Sequence, residues 1–198
     1  MASVRAGVAA ARVLRERGVR FAFGVPGESF LGLLDAFHET PGIRLVATRH
    51  EGGAAFMAEA VGKLTGAPAV CMGTRGVGSA NLAIGVHTAY QDSTPLIALV
   101  GQVETEFRHR EALQEVELAP FFGEITKWAV EAPTGARLPE VVSEAYRRSV
   151  TGRPGPVAVA LRGDILDEPA PAPPPPATAP PRSAVRPDDA AAIATVAG

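Results

Sequence analysis

Six short apolar runs, each set off from the next by a segment of helical period, leave this chain few folds to choose from. They are "VRFAFGV", "IRLVAT", "PAVCMG", "PLIALVG", "ITKWAV" and "PVAVALR". A strand with one wet face alternates apolar and polar residues, and these runs hardly alternate, so both of their faces need cover. Strands joined through helices lie parallel, because a parallel crossover needs the length a helix supplies. The pattern therefore predicts an α/β protein, a three-layer α/β/α arrangement around a six-stranded, mainly parallel sheet.

The intervening segments read as helices. Ser3 is placed to cap a first helix with Val4, Val8, Ala11 and Leu14 on one face, closed by Gly18. "SFLGLLDAFHET" supplies a second. A third carries Ala54, Met57, Ala58, Val61 and Leu64 as its expected apolar stripe. "TRGVGSAN" reads as a glycine-rich turn into "LAIGVHTAYQ", with Tyr90-Gln91-Asp92 ending that helix. The stretch "QVETEFRHREALQEVE" is polar and charged. A last helix runs from Leu138 to about Val150, with Pro139 near its start and Gly152 after its end.

Composition shifts sharply at residue 167. Between Pro169 and Pro187 lie nine of the chain's 18 prolines, a tract suited to an extended spacer and unable to build a core. The expected organisation is a domain over residues 1–166, a proline-rich linker over 167–187, and in residues 188–198, "DDAAAIATVAG", the start of a truncated following domain.

Charge and cysteine content exclude several functions. With 19 Lys and Arg against 21 Asp and Glu, the net charge is −2, and no basic block marks a nucleic-acid face or a membrane-surface patch. The single cysteine, Cys71, lies inside an apolar run and reads as a small buried hydrophobe in a reducing compartment. No apolar run approaches the roughly 18–20 residues needed to span a bilayer, and the N-terminus lacks a secretory core, so a cytoplasmic location is expected. Gly73, Gly76 and Gly78 follow G-x-x-G-x-G spacing, which does not match the dinucleotide fingerprint; a P-loop and a G-x-S-x-G elbow are both missing. His38, His50, His87 and His109 lack metal-ligand spacing, so no metal site is expected.

In an open parallel sheet, ligands sit beyond the carboxyl ends of the strands. Three segments end there: "GVPGES", "TRHEGG" and "GTRGVGSAN". The second places a carboxylate, Glu51, between a strand and a helix. Alone it is either a first-turn acid complementing the helix dipole or a working acid.

The ordered set "VPGES", "RHEGGAAFMAEAVGKLTG", "GTRGVGSANLAIGVHTAYQDSTPLIALVGQV" and "ALQEVE" resembles the N-terminal pyrimidine-binding domain of thiamine-diphosphate enzymes, the acetolactate synthase-like group in particular. The resemblance covers about residues 3–165 and implies the thiamine-diphosphate-binding fold. It implies that Glu51 is catalytic, bonding the ring nitrogen N1′ of the cofactor's aminopyrimidine. It further implies that Pro26 and Gly27 line the pyrimidine pocket, that Thr74 and Asn81 lie near the cofactor, and that Gln114 faces the substrate. The implied cofactor is thiamine diphosphate, with Mg²⁺ held by a domain absent from this chain; FAD, bound by some acetolactate synthases, is a second candidate. The implied reaction is decarboxylation of a 2-oxoacid followed by carboligation. The implied assembly is a homodimer or homotetramer with the active site between subunits.

Gly76-Val77-Gly78 replaces the group's Gly-Pro-Gly, and Leu113-Gln114-Glu115 replaces its Phe-Gln-Glu. No histidine pair stands near Gln114 and no histidine near Gly27, unlike the simple decarboxylases and the benzaldehyde-lyase-like enzymes; those losses favour carboligation. No Gly-Asp-Gly is present, so the chain alone is expected to be inactive. Two other readings stay open at this point: the pyrimidine-binding subunit of a two-chain 2-oxoacid decarboxylase, and a non-catalytic module reusing the fold.

Overall fold

The computed structural model describes residues 3–172. In chain order the elements are β1 (Ser3–Arg5), α1 (Ala6–Glu16), β2 (Phe21–Gly24), α2 (Leu31–His38), β3 (Arg44–Ala47), α3 (Glu51–Thr65) and β4 (Ala69–Thr74). They continue with α4 (Arg75–Gln91), β5 (Leu96–Gln102), α5 (Leu118–Gly123), β6 (Trp128–Glu131), α6 (Leu138–Val150), β7 (Pro156–Arg162) and β8 (Pro169–Pro171). All six expected strands are present, and every pairing in the six-stranded sheet is parallel, in the order β3-β2-β4-β5-β7-β6.

The two faces of the sheet carry different residues. Val70, Met72, Ile97, Leu99, Val157, Val159 and Leu161 point to the side covered by α1, α2 and α6. Ala69, Cys71, Ala98, Ala158 and Ala160 point to the side covered by α3, α4 and α5. Small side chains on that second face let α3 and α4 lie close to the sheet and to each other. A Cβ on Gly85 would stand 2.5 Å from the Ala55 methyl, so only glycine admits this helix contact.

Several local expectations change. Ser3 caps nothing: residues 3–5 form β1, the residue before α1 is Arg5, and the Ser3 hydroxyl instead donates to the Ala170 carbonyl. β1 pairs antiparallel with β8, and Ala170 is 2% exposed. Pro169–Pro171, within the segment expected as a linker, thus form a strand of the fold; residues 173–198, including most of that expected linker and the expected start of a following domain, lie outside the described residues. β3 is exposed along most of its length because it is an edge strand covered poorly on both faces. The stripe expected on α3 is rotated: Ala54, Ala55, Ala58, Glu59 and Gly62 are buried, whereas Met57 is half-exposed and Leu64 is 86% exposed. Close packing selects the small residues of that helix, and hydrophobicity alone pointed to the large ones. α5, with Leu118 and Phe122 buried four residues apart, follows the charged stretch and was not anticipated.

Candidate active site

The strand order reverses between β2 and β4: the chain leaves β2 toward β3 on one side and leaves β4 toward β5 on the other. Connections that diverge in this way open a crevice at the carboxyl ends of the strands. "VPGE" follows β2 there, and Thr74-Arg75 follow β4. Gly27 touches Thr74 between these two strand ends, where a Cβ on Gly27 would overlap the Thr74 hydroxyl and stand 3.2 Å from the Phe30 ring. The Thr74 Oγ1 is buried without a hydrogen-bond partner among the described residues.

The expected glycine-rich turn is instead the first turn of α4, which begins directly after β4. Arg75 absorbs the change of direction with φ +46°, a conformation that L residues adopt at a cost. Gly78 packs on Gly73, where its Cβ would lie 2.9 Å from the Gly73 carbonyl carbon. The strand-to-helix junction is thus tight enough to bring the next turn of α4 against the start of α3.

Glu51 is the first residue of α3. His50, in extended backbone, caps the helix by accepting a hydrogen bond from the Gly52 amide at Nδ1, 3.0 Å away. The Glu51 side chain is partly buried and turns toward α4, where Asn81 Nδ2 donates to Oε2 at 2.9 Å. Oε1 takes part in no hydrogen bond among the described residues; the nearest approach from Gly78 is the 3.5 Å that a Cβ there would leave. The carboxylate therefore has one oxygen fixed and one available.

The stretch from Thr105 to Glu117 closes over the N-terminus of α4. The Gly76 amide donates to the Gln114 carbonyl at 2.9 Å, and Arg75 reaches both Leu113 O at 3.4 Å and Glu28 at 3.1 Å. His109, Glu111 and Gln114 all have positive φ, so this segment is held in shape by its contacts. Arg108 is the clamp: it pairs with Glu115, and with Glu117 and Glu131 at 3.2 Å each. Burial works against its charge, but Glu131, Glu117 and Glu115 outweigh it and hold the guanidinium protonated. The His109 amide, with Arg108 behind it, holds the Glu115 carboxyl below the usual carboxylate range. His109, Glu115 and Glu117 come close enough to suggest a cation site, but the guanidinium already occupies those carboxylates.

The structure thus brings Glu51 together with Asn81, Gly27 with Thr74, and the main chain of Gln114 with α4. Pro26 and the Gln114 side chain are exposed on the same rim. Cys71 is fully buried, and burial pushes its thiol up, so it is inert packing. Sequence reading passed over Arg108 and the bond between Asn81 and Glu51; alternating charge in "RHREALQEVE" was the available signal for the first, and an isolated Asn among apolar helix residues for the second. Two surface depressions of about 390 Å³ lie beside α1 and α2, away from Glu51, one of them lined by Arg5 and its partners Asp35 and Asp167. Among the described residues no helix is long and apolar enough to cross a membrane.

A family described as the thiamine pyrophosphate enzyme, N-terminal TPP binding domain, matches residues 4–120. The chain is 40% identical over 157 residues to a catabolic acetolactate synthase of Raoultella terrigena, covering 79% of this chain and 28% of that protein. It is 38% identical over 156 residues to a probable acetolactate synthase large subunit of Methanocaldococcus jannaschii, covering 79% and 26%, and 39% identical over 155 residues to an acetolactate synthase of Bacillus subtilis, covering 78% and 27%. It spans little more than a quarter of these relatives.

Proposed function

The chain belongs to the family of thiamine pyrophosphate enzyme N-terminal TPP-binding domains, and from that premise we propose that it is the aminopyrimidine-activating part of an acetolactate synthase-like enzyme. The whole enzyme would decarboxylate a 2-oxoacid and ligate the remaining fragment to a second carbonyl compound. The observation that carries this reading is the Glu51 carboxylate at the start of α3, beyond the carboxyl end of β3, with Oε2 held by Asn81 and Oε1 without a hydrogen-bond partner among the described residues.

These residues fit the cofactor's ring. A carboxylate with one open oxygen suits a ring nitrogen that must exchange a proton, and the orphaned Thr74 hydroxyl beside Gly27 is a polar atom awaiting a partner. When bound, thiamine diphosphate supplies the nucleophilic carbon that attacks the substrate carbonyl. With the cofactor bound, Glu51 would offer Oε1 to N1′, Gly27 and Pro26 would offer backbone to the ring, and Gln114, on the clamped segment, would face the substrate side. The chain has no Gly-Asp-Gly, so Mg²⁺ and the diphosphate fall to a part of the enzyme outside it. FAD is left to that same part. We place the enzyme in the cytoplasm.

The partner is proposed as a further copy of the same enzyme chain. Phe56, Met57 and Leu64 of α3 and Val77 and Ile84 of α4 expose apolar surface on the outer side of the helix pair. Asn81 shares the α4 face of Val77 and Ile84 at helical spacing, so whatever covers that face also closes over Glu51.

Exchange of the C2 proton of bound thiamine diphosphate for deuterium tests the role of Glu51. In the full-length enzyme, Glu51→Gln is expected to slow it about 10²–10⁴-fold, the range of a lost general acid–base. Unchanged exchange would leave a non-catalytic use of the fold as the better reading.

A further inference from the structure

Of the polar side chains along α4, most serve the helix itself. Ser79 donates back to the Arg75 carbonyl at 2.6 Å, and Thr88 to the Ile84 carbonyl at 2.9 Å. Asn81 does neither; its amide crosses to α3 and meets Glu51. An Asn within a helix is less favourable than Ala by several tenths of a kcal/mol, and here it interrupts an apolar face where Ala or Leu would serve better. A local choice that goes against propensity marks a function for the side chain.

We propose that Asn81 is a positioning residue: it fixes the Glu51 carboxylate through Oε2 so that the proton exchanged with the cofactor ring is confined to Oε1. The inference rests on the reading of Glu51 given above. No proton passes between the two side chains, because an amide donates a hydrogen bond without giving up its proton at working pH. The orientation of the amide follows from chemistry: facing a carboxylate, Nδ2 donates and Oδ1 has nothing to accept. Without the amide the carboxylate could rotate, and either oxygen would present the proton at a variable position.

The distance is built into the helix pair. A Cβ on Gly52 would lie 3.3 Å from the Asn81 carbonyl, and Gly85 packs against Ala55 one turn further along. The start of α3 and the second turn of α4 are therefore locked by backbone approach, and the 2.9 Å bond spans what that packing leaves.

The test has two readouts. In the protein without cofactor, ¹⁵N NMR follows the Asn81 side-chain amide, whose protons are displaced downfield by a carboxylate acceptor. Glu51→Ala is expected to return them to the range of a solvated Asn, and an unmoved resonance overturns the proposal. In the full-length holoenzyme, C2 exchange and the cofactor Kd are compared for Asn81→Ala, Asn81→Asp, Glu51→Gln and Asn81→Ala/Glu51→Gln. Asn81→Ala is expected to slow exchange about 10- to 100-fold, the order of a 1 Å misplacement, with Kd changed by less than about twofold. The double variant is expected to be no slower than Glu51→Gln alone, because the amide acts only through that carboxylate. Losses that multiply in the double variant, or a Kd that worsens in step with exchange, assign Asn81 a separate or merely structural role and overturn the proposal. If Asn81→Ala fails to fold, the isosteric Asn81→Asp, which replaces the donor by a second carboxylate, must slow exchange at least as much. Should Glu51→Gln slow exchange while neither Asn81 variant does, the positioning role falls and the Glu51 reading stands. Should Glu51→Gln itself change nothing, both fall together.

Discussion

At Gly27 the backbone has φ −140° and ψ 150°, extended values that any residue adopts. The requirement for glycine there is steric, since a Cβ would occupy the place of the Thr74 hydroxyl. Gly27→Ala is expected to cost about 1–3 kcal/mol, the usual penalty of overpacking, read as a lower urea midpoint at unchanged slope. Thr74→Ala removes the obstacle, so Gly27→Ala/Thr74→Ala should lose less than the two single losses combined. A simple sum would mean that the two residues do not share the space. Gly27 and Thr74 were readable as candidates only through resemblance to a family; nothing in "VPGES" alone says that its glycine faces the end of a strand some 47 positions away.

Among the elements, α6 shows where sequence spacing carries far. Its limits, Leu138–Val150, match the expectation drawn from Pro139 and Gly152, and its acid at Glu144 stands three and four residues before Arg147 and Arg148. The Arg147 guanidinium, and Arg148 after it, pull the Glu144 carboxyl down from its ordinary 4.5 to about 2. A depressed carboxylate stabilises the fold above the unfolded value, and the contribution disappears as pH falls through the folded one. The gap in urea midpoint between the native chain and Glu144→Gln should therefore be constant above about pH 5 and close between 4.5 and about 2. A gap that holds steady through that window would show that the pair does not couple to folding. α3 is the contrasting element. Its period was legible and its orientation was not, because the choice between a face of Ala and Gly and a face of Met and Leu depends on how near α4 and the sheet come.

For the whole molecule, the α3 and α4 pair packs closely on the sheet and on itself yet leaves apolar surface on its outer side. Phe56→Asp and Ile84→Asp test that outer face. Both residues are exposed, at 42% and 60%, so each substitution should change the stability of a single chain by no more than about 0.5 kcal/mol. Light scattering of the full-length enzyme should nevertheless show a smaller assembly. An unchanged mass would mean that the face is covered by something other than a second copy. The antiparallel pair β1 and β8 adds a molecule-wide feature of another kind: it joins Ser3–Arg5 to Pro169–Pro171 and places the first of the proline-rich residues within the domain.

Six apolar runs and the helices between them were sufficient to determine the three-layer parallel fold, because burial on both faces forces a strand to be apolar throughout and a parallel neighbour requires a crossover. The same local physics set the limits of α6 and the inertness of Cys71. What awaited the tertiary structure was everything that depends on distance across the fold: which face of α3 is inward, the clamp of Arg108 on Glu115 and Glu131, and the bond from Asn81 to Glu51. Periodicity describes a residue's relation to its own element. The separation of 30 positions from Glu51 to Asn81 is closed only by the packing of two helices on one sheet, and that is a property of the assembled core.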